Sequence, residues 1–173
     1  RAVMGMSLRG SDSRTSDYRV KFTATALEGV YLIDQERRQD ERGFFARTFC
    51  RDEFKAYGLA TSFVQCNTSF NRRCNTLRGM HFQADPHGEA KLVRCTRGTI
   101  FDVVVDVRPV SPTYCRWVGI HLDEDNGRMI YIPAGYAHGF QTLTENAEVF
   151  YQMAAMYEPS AAKGVRWNDP AFG

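Results

Sequence analysis

The chain has 173 residues, a length that suits one domain with a sizeable core. Hydrophobic residues make up 43% and charged residues 24%, near the globular average, which sets aside disordered and fibrous classes. A formal net charge of +2 is too small to imply nucleic acid and leaves room only for a local basic pocket facing a small anion.

In chain order, residues 1–17 are polar and Ser/Arg-rich and read as a flexible arm. They begin with Arg rather than Met and lack the apolar stretch of a signal peptide, so they are set aside from fold reasoning. Residues 18–173 read as a single domain. Tyr18 to Asp34 is strand-like with a break at Glu28-Gly29; "RRQDERG" (Arg37–Gly43) reads as a charged loop and "FFARTF" (Phe44–Phe49) as a strand. "RDEFKAYG" predicts the one short helix, with Asp52 as its cap, Phe54 and Tyr57 on one face, and Gly58 just past its end.

Beyond it the chain is punctuated strand: "FVQCNTSF", "TLRGMHFQ", "KLVRCT", "TIFDVVVDV", "RWVGIHL", "MIYIP", "GYAHGFQTL" and "VFYQMAAMY". Arg97-Gly98 predicts a hairpin turn. In "TIFDVVVDV", Phe101, Val103 and Val105 take one face and Asp102, Val104 and Asp106 the other. Those two aspartates also interrupt the most apolar stretch, so no membrane span is expected. Short strands with turn signals every ~8–12 residues predict an all-β, antiparallel, closed or sandwiched fold. Five cysteines, odd in number and without a C-x-x-C pair, fit reduced thiols of a cytoplasmic protein better than a disulfide framework.

Three stretches can carry chemistry. In "TLRGMHFQ", Arg78 offers a planar fork for a phosphate, and His81 can exchange a proton near neutral pH. Strict alternation puts the two on opposite strand faces, and a bulge at Gly79 would turn them the same way. Lys91, a strand later, supplies a point charge for a developing oxyanion. In "IPAGYAHGF", His138 alternates in phase with Tyr136 and Phe140. Tyr151 carries a hydroxyl able to return a proton to a carbanion. Gln65 and Asn67 share a strand face and could hydrogen-bond a polyhydroxyl ligand. On these residues alone, each histidine and the tyrosine fits a structural role in the strands better than a catalytic one. The four histidines never form H-x-H or H-x-x-x-H, so no metal is expected.

Taken together, "DERGFF", "FVQCNTSF", "LRGMHFQ", "KLVRC", "FDVVVDVRPVSPTY", "WVGIHL", "IPAGYAHGF" and "WNDP" resemble, in order, the dTDP-4-dehydrorhamnose 3,5-epimerases of the cupin superfamily. The resemblance implies a cupin-like jelly-roll β-barrel with one or two short helices, usually homodimeric. It implies no metal or organic cofactor, and a dTDP-4-keto-6-deoxyhexose as nucleotide-sugar substrate. It also implies His81 as base, Lys91 beside an enolate oxygen and Tyr151 as the acid. Arg42, Arg78 and His138 would lie around the sugar and diphosphate, with Gln65 and Asn67 nearby.

Two positions depart from the family pattern: Arg47 stands where an acidic residue is usual, and Cys66 where Asp is frequent. The family's carboxylate that orients the base lies in a tail past "WNDP". Within this sequence Asp102 and Asp106 are the nearest candidates for that task. A non-catalytic nucleotide-sugar-binding cupin, or an epimerase of another nucleotide sugar, is the alternative reading.

Overall fold

Period-two alternation governs the chain described by the computed structural model, residues 19–173. The arm expected at 1–17, and Tyr18, lie outside the described residues. The strands in order are β1 (Val20–Ala24), β2 (Tyr31–Gln35), β3 (Arg38–Asp40), β4 (Gly43–Phe45), β5 (Gln65–Asn71), β6 (Leu77–Gln83) and β7 (Lys91–Arg97). They continue as β8 (Thr99–Asp106), β9 (Trp117–Asp123), β10 (Met129–Ile132), β11 (Tyr136–Thr142), β12 (Ala147–Met153) and β13 (Ala162–Gly164). A short helix α1 (Arg51–Ala56) and a single 3-10 turn (Pro170–Phe172) complete the elements.

Two antiparallel sheets face each other, ordered β1-β2-β10-β7-β12-β5 and β13-β6-β11-β8-β9, while β3 and β4 form a separate ribbon. This is the expected all-β jelly roll. Leu27, Val93, Cys95, Ile100, Val104, Leu122, Ile130 and Val149 fill the space between the sheets. A second cluster lies on the outer face of the larger sheet, where α1 presses Phe54 onto Ile33, Leu92 and Met129. Phe54 is fully buried, and its ring meets those of Phe22, Phe49 and Phe63 edge-on.

Several local expectations need correction. Gly98, with φ +73°, turns the chain tightly, but β7 and β8 do not pair; they enter different sheets. The reason is the core: Val93 and Cys95 meet Ile100 and Val104 across the gap instead of side by side. The charged segment before Gly43 is partly strand, because Arg38–Asp40 pairs with Gly43–Phe45. Asp40 stabilises that turn by accepting from the Arg42 backbone amide at 2.8 Å. Of the expected Phe44–Phe49 strand only Phe44 and Phe45 form, within Gly43–Phe45. Phe49 instead packs its ring against Phe54 and Phe63. Asp52 does not cap α1; it lies within the first turn, where its charge suits the helix dipole, and Cys50 is the N-cap.

In β8 the alternation holds and its sense is now defined. Asp102 and Asp106, both fully buried, point inward with Val104, whereas Val103 and Val105 pack outward with Met80 or beside it. Asp106 is spent locally: it accepts from Arg108 Nε at 2.9 Å, Thr113 Oγ1 at 2.6 Å and Ser111 Oγ at 2.5 Å. Burial opposes its charge, but these hydrogen bonds win and hold the carboxyl well below the usual carboxylate range.

The decisive irregularity is in β6. His138 of β11 faces His81, yet Phe140, two residues on, faces Arg78, three residues back. β6 therefore carries one extra residue around Gly79, the bulge that brings Arg78 and His81 round to the same cavity. The strands touch so closely there that a Cβ on Gly79 would sit 2.6 Å from Gly139 Cα and from the His138 carbonyl oxygen. Gly79 also has φ +100°, where L side chains are strained. Gly79→Ala is expected to cost about 3 kcal/mol or more, strain and overpacking adding. Urea unfolding checks this; a midpoint equal to that of the parent chain would refute it.

Candidate active site

A cavity of about 340 Å³ lies between the inner faces of the two sheets. One wall is β6 and β11, with His81 and His138 in direct register across the pair. Directly opposed residues of an antiparallel pair share a face, so both imidazoles enter the cavity. The other wall is β7 and β12, where Lys91 is paired with Met153 and Tyr151 with Val93, all on the inner face. Histidine and tyrosine thus come from different sheets and confront each other across the gap.

Each polar side chain has an identifiable support. His138 Nε2 is bonded to Asp102 Oδ2 at 2.8 Å, and Asp102 is fully buried. Burial raises the Asp102 pKa, with the neighbouring imidazole partly offsetting it. The Lys91 ammonium donates to Glu89 Oε1, a carboxylate whose residue is only 6% exposed. Arg78 donates its Nε to Asn71 Oδ1 at 2.9 Å. Among the described residues no carboxylate pairs with His81. Asp102 is committed to His138 and Asp106 to Arg108, so neither aspartate orients His81 as expected.

Five of the sequence-predicted residues line the cavity: Arg78, His81, Lys91, His138 and Tyr151. Three do not. Gln65 has its side-chain oxygen bonded to the Tyr157 backbone amide, and Asn67 donates to the Met153 sulfur at 3.6 Å. Arg42 lies on the exposed β3–β4 turn, paired with Asp40. In their place the cavity takes Ser69, Gln83, Glu89 and Tyr157. One of these carried a signal, since Ser69 follows Asn67 on β5 by the two residues that keep a strand face.

Comparison with known proteins matches residues 24–173 to the family described as dTDP-4-dehydrorhamnose 3,5-epimerase. The chain belongs to that family. The dTDP-4-dehydrorhamnose 3,5-epimerase of Sinorhizobium fredii is 41% identical over 152 residues, covering 88% of this chain and 78% of the relative. A crystal structure of the Bacillus anthracis enzyme with TDP and PPi bound superposes with a TM-score of 0.86 at 36% identity, covering 89% of this chain and 88% of that one. The Legionella pneumophila 3,5-epimerase in complex with dTDP-4-keto-L-rhamnose gives 0.84 at 34% identity, over 89% and 81%.

In this epimerase-family chain the cavity electrostatics favour opposite protonation states on the two walls. His81 titrates below ordinary histidine, first because burial disfavours the imidazolium, then through the charges of Lys91 and His138. Tyr151 titrates above ordinary tyrosine, because burial disfavours the phenolate, with the Arg78 charge acting the other way. At neutral pH one wall therefore offers a proton acceptor and the other a proton donor.

Proposed function

We propose that this cavity is the active site of an epimerase inverting C3, C5 or both of a dTDP-4-keto-6-deoxyhexose, in deoxysugar biosynthesis of the rhamnose type. The observation that carries the reading is His81 facing Tyr151 across one cavity from the opposite sheet, with burial favouring the uncharged form of each. A C4 ketone acidifies the hydrogens on C3 and C5, since removing either gives an enolate. Inversion then needs a base on one face, an acid on the other and a cation at the enolate oxygen.

His81 takes the carbon-bound proton, Lys91 supports the charge developing on the ketone oxygen, and Tyr151 returns a proton to the opposite face. The tyrosinate left behind is stabilised by Arg78, whose charge already favours that form. Arg78 also serves the diphosphate, and His138, fixed by Asp102, contacts the sugar. The experiment is incubation in D₂O with dTDP-4-keto-6-deoxyglucose, read by NMR separately at C3 and C5. Deuterium at either carbon is the expected result. Tight binding of dTDP-sugars with no exchange at high enzyme concentration would replace this reading by that of a binding protein.

The pH dependence has a defined sign. The base must be neutral, and the His81 pKa lies below 6.5, so kcat/KM falls only as pH drops through a value under that of free histidine. Lys91→Met removes one of the charges that depress it. The acid limb of the surviving activity should then move to higher pH; a limb that stays put would show that Lys91 does not act on His81.

The reading extends to assembly and compartment. Arg42 does not line the cavity, and Phe44 beside it is 52% exposed on the β3–β4 ribbon. Phe70, on the edge strand β5, is 44% exposed. A homodimer would cover such surfaces and bring Arg42 to the partner's cavity; sedimentation equilibrium tests it, a monomer at micromolar concentration being the contrary result. No helix among the described residues is long and apolar enough to cross a membrane. Five unpaired thiols support a cytoplasmic setting.

A further inference from the structure

The strand β5 presents Gln65, Asn67, Ser69 and Asn71 on one face, and of that row only Ser69 lines the cavity, while Asn71 reaches it through Arg78. Asn71 is 2% exposed, yet all of its polar atoms are occupied. Its amide nitrogen donates to the Ser69 carbonyl at 3.1 Å and the Ala147 carbonyl at 3.3 Å, tying it to β12. Its oxygen accepts from Arg78 Nε at 2.9 Å. No carboxylate pairs with Arg78 among the described residues, whereas Arg42, Arg47, Arg108 and Arg128 each have one.

The contrast has a chemical meaning. A carboxylate at Nε would fix the guanidinium equally well but cancel its charge. A neutral carboxamide fixes the plane and leaves the full positive charge, with both Nη groups, for an anion. The amide cannot turn round, because its nitrogen is held by the two carbonyls. We propose that Asn71 is a positioning residue that orients Arg78 without neutralising it, and so sets the affinity of the cavity for the diphosphate of the nucleotide sugar. This rests on the reading of the cavity as a dTDP-sugar site.

The test is calorimetric binding of dTDP and, separately, of thymidine to the full chain and to Asn71→Asp and Asn71→Ala. Asn71→Asp keeps the acceptor but adds the missing negative charge, and should weaken dTDP about 10–100-fold with thymidine unchanged. Asn71→Ala leaves Arg78 charged but unfixed, and should weaken dTDP less, by about 3–10-fold. A purely structural role predicts the reverse order, with Asp the milder change and both ligands affected alike. Either the reversed order or unchanged dTDP affinity in Asn71→Asp overturns the inference. If Asn71→Asp fails to fold, Asn71→Ala still decides, since equal loss of thymidine and dTDP contradicts it. Failure of the parent chain to bind dTDP would instead sink the functional reading itself.

Discussion

His81→Ala is expected to lower epimerisation and solvent exchange together, by on the order of 10²–10⁴-fold, with the fold intact. The imidazole is surface-reachable within the cavity and belongs to none of the three core clusters, so its removal leaves no void there. Both observables should fall equally, because no deuterium can enter before the carbon-bound proton has left. His81 also has no carboxylate partner among the described residues, so no buried charge is stranded by the change. The measurement is single-turnover exchange in D₂O beside a thermal melt. A variant that melts normally and exchanges at the parental rate would remove His81 from the chemistry.

Tyr151→Phe should separate those two observables. Phe keeps the ring packed against the inter-sheet core and deletes only the hydroxyl, so the change in stability is small. His81 still forms the enolate and can hand the proton back on the face it came from. Deuterium should therefore enter the substrate with retained configuration, while inverted product falls about 10²–10³-fold. NMR that tracks label and configuration at each carbon reads this directly. Parallel loss of exchange and inversion would mean that Tyr151 acts in binding and that another donor supplies the proton.

Alternation along single strands was legible in advance, and β8 is the clearest case: the faces assigned to Asp102 and Val103 are the faces observed. What alternation cannot encode is which strand lies beside which. The tight turn at Gly98 was visible, but whether it closes a hairpin or leads into the opposite sheet depends on packing across the gap. The helix cap failed for a similar reason: Asp52 has the right chemistry but sits two positions past the N-cap, Cys50.

The site divides in the same way. His81, Lys91, Tyr151, Arg78 and His138 could be named from motifs and their order, and all five line one cavity. Gln65 and Asn67 do not line the cavity themselves but bond to Tyr157 and Met153, which do, because a row of polar residues along a strand does not say where the cavity begins. The hydrogen bond from His138 to Asp102 joins residues 36 positions apart, through the register of β11 on β8. Nothing in the local sequence around either residue announces it.

Because the imidazole and the phenol hang from different sheets, the separation between these two groups is not set by any strand. It is set by the thickness of the hydrocarbon layer that keeps the sheets apart. Val93, Ile100, Val104, Leu122 and Val149 meet in that layer. A misplacement of ~1 Å between reacting groups can cost about 10²-fold in rate. Trimming a methyl group there would then register first in turnover, before any loss of fold, so this aliphatic layer acts as the gauge of the reaction.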